Sequence, residues 1–194
     1  MQEKSFSQTV IARRTIRLFN QQPIPDDQIR QLLELARISP AASNLQRLRY
    51  IVCRTKQVVD QIFPHTGWAG LVKPRRTPVL GETSPTAFIA VLAPENANAI
   101  VHADAGAAIM AILLGAQAAG LGACWLGSFD QQEVRQIINV PEGMTILYLV
   151  ALGYPAEQPI RIDVSSTDKV AYFINDDGVL TVPKLTVDAI TQWR

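Results

Sequence analysis

The chain has 194 residues, 48% hydrophobic and 18% charged, which supplies the apolar side chain for one large core and excludes a disordered chain. A formal net charge of +1 gives no overall field to attract nucleic acid or an anionic membrane, so any charged recognition is local. Two distant cysteines, Cys53 and Cys124, and two histidines, His65 and His102, exclude a disulfide framework and a structural zinc site as organising principles and leave little for a histidine-dependent triad.

The amino terminus, MQEKSFSQTV, has neither an apolar h-region nor a small-residue cleavage site, so a cytoplasmic protein is expected, built as one domain over 1–194. A short amphipathic helix is predicted over 6–12, running into Arg13-Arg14-Thr15-Ile16-Arg17. After a turn at 20–25 comes a helix in which Ile29, Leu32, Leu33 and Ala36 share one face, capped by Asp26 or Asp27 and stopped at Ser39-Pro40. A loop at 40–46 leads to a strand at 48–53 and a short helix at 56–63. Residues 64–85 carry glycines and prolines without periodicity and read as a long functional loop. A buried strand is predicted at 86–93.

Between Asp104 and Asp130 no residue is charged, a length that could span a membrane. The run is rich in Ala and Gly, contains Gln117, breaks at Gly120-Leu121-Gly122 and lacks basic flanks, so it reads as a helix over 101–119 and a buried strand over 122–127. A helix buried on nearly every side is central or faces a partner subunit, which is the first pointer to a dimer. A helix capped at Asp130 is expected over 131–139 and an apolar strand over 145–153. The tail holds a hairpin at 170–182 turning at Asn175-Asp176-Asp177-Gly178, then a short helix after Pro183-Lys184. Interleaved helices and strands make the class α+β or α/β.

Three groups of residues could carry chemistry. Arg13, Arg14 and Arg17 with Thr15 offer guanidinium forks and a hydroxyl suited to phosphate, or form a solvated basic helix end. The run Ser39-Pro40-Ala41-Ala42-Ser43-Asn44-Leu45-Gln46 lets backbone approach a flat ligand while two amides face its polar rim, or simply connects a helix to a strand. The run 121–130 ends a buried strand in Gly127-Ser128, exposing backbone N–H groups, or is core packing in which Cys124 is inert and Trp125 is core.

Taken together in order, Arg13-Arg14-Thr15-x-Arg17, the loop from Ser39-Pro40 to Gln46, the Asp104 helix leading to Gly120-Leu121-Gly122-Ala123-Cys124-Trp125 and the strand ending Leu152-Gly153-Tyr154-Pro155 resemble the FMN-dependent nitroreductases, in a short form without a long inserted helical arm. The resemblance covers about 9–155, with an echo at Val182-Pro183-Lys184. It implies an α+β fold with a central, mainly antiparallel sheet and an intertwined homodimer carrying two FMN sites at its interface. Carried over by position, Arg13, Arg14 and Thr15 would hold the FMN phosphate and Arg17 would lie near the flavin N1/O2 edge. Pro40, Ala41, Ala42, Asn44 and Gln46 would come from the partner chain. Leu126, Gly127 and Ser128 would lie along the isoalloxazine, with the Gly127 N–H toward N5. Lys184 would be a second phosphate contact, with Arg161 a rival for that role. The sequence departs from the family pattern at Ala41, usually serine, at Arg47-Leu48, usually Pro-aromatic, and conservatively at Thr15.

Flavin-borne chemistry would account for the missing acid–base machinery, with no residue cast as catalytic. The implied reaction is ping-pong: hydride passes from NADH or NADPH to FMN N5, then to a nitroaromatic, quinone or similar electron-poor small molecule. Trp68, in the loop over the open flavin face, is the candidate for shaping the acceptor site, or it is a loop anchor. The same scaffold would also serve flavin-dependent dehalogenation, enoate reduction or flavin breakdown. A flavin-binding or regulatory dimer without turnover is the alternative outside enzymes.

Overall fold

Two strands with apolar residues on both faces organise the chain. A computed structural model describes residues 5–194, so the first four residues, part of the stretch on which the expectation of a cytoplasmic protein rests, lie outside it. In chain order the elements are α1 (Phe6–Ala12), β1 (Phe19–Asn20), α2 (Asp26–Arg37), β2 (Arg49–Cys53), α3 (Lys56–Ile62), β3 (Ala87–Pro94), α4 (Ala99–Ala118) and β4 (Gly122–Leu126). Then come α5 (Gln131–Ile137), β5 (Met144–Pro155), β6 (Ile160–Val164), β7 (Phe173–Ile174), β8 (Leu180–Leu185) and α6 (Val187–Ile190).

The main sheet runs β1-β5-β3-β2, with β4 also paired to β5, and every pairing in it is antiparallel. On β3, Phe88, Ala90 and Leu92 enter a core shared with α3, α5 and Trp68, while Ala87, Ile89 and Val91 enter a second core shared with α2 and α4. The two-residue period of a strand therefore fills both layers at once. Opposite Val91 and Leu92 the register skips Leu147, and this bulge lets Leu147 and Tyr148 pack on the second core together.

The remaining strands form a separate sheet in which β6 and β8 are parallel and β7 closes antiparallel on β8 through the predicted Asn175–Gly178 turn. Strands β1 and β6 were not among the elements expected from the sequence.

Two further expectations are corrected. Pro25, not an aspartate side chain, occupies the cap of α2, and Asp26 and Asp27 sit inside its first turn, where their charges face the positive end of the helix. Helix α4 is not buried all round. Asp104, Ala105, Ala108, Ile109 and Ile112 face inward, whereas Ile100, Ala103 and Met110 lie on an exposed stripe, Ile100 at 52% and Met110 at 44%. Among the described residues it is the one helix long and apolar enough to cross a membrane, and its inner face is part of the protein core.

Candidate functional site

The residues after α1 are laid along the outer edge of β4. Thr15 bridges Ala123 in parallel and the Ile16 N–H donates to the Ala123 carbonyl at 3.0 Å. Buried Ile16 and Phe19 act as two plugs: a Cβ on Gly122 would fall 2.7 Å from Ile16 Cγ2, and one on Gly153 would fall 2.8 Å from Phe19 Cδ1. The glycines of the two sequence runs thus serve close approach of this segment.

With Ile16 buried, Arg13, Arg14 and Arg17 stay partly exposed, and the charges of Arg13 and Arg161 reach Arg14. Arg14 donates to the carbonyls of Ile11, at 2.7 Å, and Arg13. Burial lowers the pKa of Arg13, and burial followed by the charges of Arg13 and Arg161 lowers that of Arg14. Arg14 therefore feels two further positive charges in a partly desolvated place, which is the electrostatic condition for taking up an anion. Arg161 also pairs with Asp163 at 3.2 Å. Lys184 is the register partner of Asp163 across β6 and β8, and it is Arg161 whose charge is felt at Arg14.

Arg17 is held by groups that the sequence did not reveal. Its backbone N–H donates to Glu157 Oε1 at 2.6 Å, the Leu18 N–H donates to the same oxygen at 3.2 Å, and the Glu157 side chain is only 3% exposed. Arg76, from the long loop, approaches Glu157 Oε2 at 3.7 Å and donates to the Gly178 carbonyl at 2.5 Å. The Arg17 guanidinium stands over the Tyr172 ring, 4.9 Å from its centroid. No local signal marks Glu157 beyond its being acidic just past a buried strand.

The other end of β4 carries Leu126, buried, then Gly127 and Ser128, both exposed. The Ser128 carbonyl accepts the Gly67 N–H at 2.8 Å, and Asp130 caps α5 by accepting from the Gln132 and Glu133 N–H groups, both at 3.1 Å. Among the described residues no acceptor takes the N–H of Gly127 or Ser128. The four residue steps from Ala123 to Gly127, just past the end of β4, span about 13 Å.

Of the two tryptophans singled out in the sequence, Trp125 departs from its expected place and Trp68 takes one of the two read for it. Trp125 is 38% exposed and meets Tyr148 edge-to-face, rather than lying in the core. Trp68 is 5% exposed, its Nε1–H donates to Thr66 Oγ1 at 2.7 Å and it packs on Phe63. Trp68 is thus buried and tied within its own loop, as the loop-anchor reading expects.

The loop at 40–46 forms a short 3-10 turn, Ala42–Asn44, with positive φ at Ser43, Asn44 and Gln46 (51°, 53° and 45°). Asp104, 7% exposed on α4, fixes it by accepting the Ala42 N–H at 2.9 Å. Asn44 and Gln46 point to solvent and join through Gln46 Nε2–H to Asn44 Oδ1 at 3.1 Å. Pro40, Ala41 and Gln46 line a cavity of about 610 Å³ beside β2 that includes none of the arginine cluster or the β4 tip. The reason is topological: β2 and β4 lie at opposite edges of the sheet, with β3 and β5 between them, three inter-strand steps of roughly 4.8 Å each. The structure thus lays the segment with Arg13, Arg14, Thr15 and Arg17 along β4, with the Arg161 charge felt at Arg14, while Pro40, Ala41, Ala42, Asn44 and Gln46 stand at the far edge.

The sequence profile of the Nitroreductase family matches residues 10–154, three-quarters of the chain. The chain belongs to the nitroreductase family. Among curated relatives of this family member, an Archaeoglobus fulgidus protein provisionally named NADH dehydrogenase/NAD(P)H nitroreductase is 27% identical over 159 residues, covering 77% of this chain and 84% of its own. The crystal structure of a nitroreductase family protein from Clostridium novyi NT has a TM-score of 0.67 at 23% identity, covering 78% of this chain and 86% of that one. An FMN-dependent nitroreductase from Clostridium difficile R20291 has a TM-score of 0.64 at 21% identity over 77% and 87% of the two chains. These likenesses establish the nitroreductase fold.

Proposed function

We propose that this family member is an NAD(P)H-dependent FMN oxidoreductase that works as a homodimer and reduces a nitroaromatic, quinone or similarly electron-poor small molecule. The observation that carries this reading is the arginine cluster at one end of β4 combined with two free amides at the other. The residues fit the cofactor: clustered guanidiniums suit a dianionic phosphate, and the distance of about 13 Å along the strand from them to Gly127 is of the size of the phosphate, the ribityl chain and the ring as far as N5 taken together.

In this reading Arg13, Arg14 and Thr15 hold the phosphate, with Arg161 as the further cation and Lys184 as its rival. Arg17 donates to the N1/O2 edge, Leu126, Gly127 and Ser128 flank the ring, and the Gly127 N–H donates toward N5. Pro40, Ala41, Ala42, Asn44 and Gln46 of the partner subunit cover the ring from the other side, which the position of that loop at the far sheet edge favours. The exposed apolar stripe of α4 supports the dimer. Bound FMN supplies hydride exchange at N5, accepting from NADH or NADPH and giving to the acceptor in two separate half-reactions. The chain's own part is to bind, orient and put positive charge beside the ring. Dependence on a reduced nicotinamide co-substrate suits a cytoplasmic protein, and residues 1–194 act as one domain.

The test is anaerobic titration of FMN-loaded protein with NADH and with NADPH. Bleaching of the flavin absorbance by either, its recovery on adding a nitroaromatic or a quinone, and parallel double-reciprocal plots are expected. Failure of the apoprotein to take up FMN overturns the reading; FMN uptake without bleaching by either nucleotide reduces it to a flavin-binding protein.

A further inference from the structure

Resting on the proposed flavin site, we infer that Tyr172 is a positioning residue for the Arg17 guanidinium and thereby for the charge beside the flavin. Arg17 is fixed at two points. Its backbone is clamped by Glu157, whose Oε1 accepts both the Arg17 and Leu18 N–H groups. Its side chain rests on the Tyr172 ring at 4.9 Å, a distance at which the negative face of the ring attracts the cation. Among the described residues no carboxylate lies within 4.0 Å of Arg17, so the ring is the contact that orients it, leaving the in-plane N–H groups free to donate.

Tyr172 is itself held. Its hydroxyl accepts the Leu71 N–H at 3.4 Å, and the hairpin after it is tied back by Arg76, which donates to the Gly178 carbonyl and approaches Glu157. The second sheet and the long loop therefore meet on Arg17, although neither contains a residue expected to touch the cofactor at that edge. A guanidinium on a flexible stem loses orientation when its stacking partner is removed. The physical consequence is a weaker preference for reduced over oxidised FMN, because reduction adds negative charge at the edge that Arg17 faces.

Two measurements test this on the full chain. In the apoprotein, the Arg17 Nε–Hε group, assigned by its loss in Arg17→Gln, is tracked by NMR relaxation. Order comparable to the backbone is expected in the wild type and in Tyr172→Phe, and free averaging in Tyr172→Leu; equal order in all three overturns the inference whether or not flavin binds. In the FMN-loaded protein, the ratio of oxidised to reduced FMN dissociation constants is expected to fall between about twofold and fivefold in Tyr172→Leu, the size of such a stack, with recovery in Tyr172→Phe. Arg17→Gln should lower the ratio as well, and adding Tyr172→Leu to it should change nothing more. A fall in Arg17→Gln with none in Tyr172→Leu, or additive falls in the double variant, overturns the role of Tyr172 while leaving the flavin reading standing. No fall in Arg17→Gln, with the NMR order lost in Tyr172→Leu, refutes the assignment of Arg17 to the flavin edge and leaves its positioning by Tyr172 intact.

Discussion

Replacing Arg13 by alanine isolates the phosphate end of the proposed site. Arg13 caps α1 through its backbone N–H, which donates to the Thr9 carbonyl at 3.0 Å and survives the substitution, so the helix keeps its end. The loss is confined to one half-buried guanidinium. A hydrogen bond to a charged group contributes roughly 1.5–3 kcal/mol, which alone would weaken FMN binding by about 10- to 150-fold. The Arg13 guanidinium is only half buried, so solvent screens part of its pull on the phosphate. The expected loss is therefore at the lower end, about tenfold. Riboflavin, which has the ring and ribityl chain without the phosphate, supplies the control: its affinity should change less than about twofold on the same scale. Both constants come from quenching of flavin fluorescence on titration with apoprotein, at low and high salt, and the salt sensitivity for FMN should shrink in the variant. Equal weakening for FMN and riboflavin, or none for FMN, would refute the phosphate assignment. Arg161→Ala should reproduce most of the Arg13→Ala loss and Lys184→Ala little, since only the former charge is felt at Arg14.

Four other outcomes are expected. Gly153→Ala forces a Cβ to within 2.8 Å of Phe19 and should lower unfolding stability by about 1–3 kcal/mol in urea melts, with Phe19→Leu in the same chain recovering part of it. Burial pushes the Cys53 thiol up to about 11 and the Cys124 thiol up to about 12, the latter despite the opposing charge of Arg17, so neither should react with a disulfide reagent at pH 8 until the protein unfolds. Because both folded values are raised above the ordinary 9.0, the folded state holds its protons longer, so this contribution to stability is complete below about pH 9 and falls away as pH rises toward 11 and beyond. Stability that rose between pH 9 and 11 would contradict it. Met110→Glu, on the exposed stripe of α4, should yield a folded monomer by light scattering with unchanged far-ultraviolet dichroism, whereas a persisting dimer would place the interface elsewhere.

How much of this was legible in the sequence depends on how local each cause is. Strands β3 and β5 announce themselves because both of their faces are buried, and α2 because its buried residues recur at helical spacing. Asp130 at the start of α5 and the Asn175–Gly178 turn are equally local, since side chain and backbone partner lie within a few residues. Strand β1 is two residues long and exists because Phe19 covers Gly153, more than a hundred residues away, so no window of sequence contains its cause. Strand β6 alternates as a strand should, yet Ile160 and Ile162 are 43% and 37% exposed and its partner β8 is parallel, reached only after β7. Glu157 is the sharpest case: its carboxylate serves backbone groups 140 and 139 positions away, and a lone acidic residue shortly after a proline carries no trace of that.

Composition misled on α4 for a physical reason. Ala and Met count as apolar whether they fill the chain's own core or wait for a neighbour, so hydropathy alone reads the helix as buried throughout. The fold separates the two uses, since α4 lies under the sheet between the β2 edge, which carries the loop at 40–46, and the β4 edge, which carries the arginines. If α4 packs on its twin, one contact covers the stripe and sets the loop of one copy beside the arginines of the other. Such packing entails a joint dependence that separate causes would not give. Met110→Glu should lose dimer and FMN together, and raising protein concentration should restore both in parallel. Arg13→Ala should lose FMN while remaining a dimer. An FMN-bound monomer of Met110→Glu would break that link and return the loop at 40–46 to the role of a plain connector.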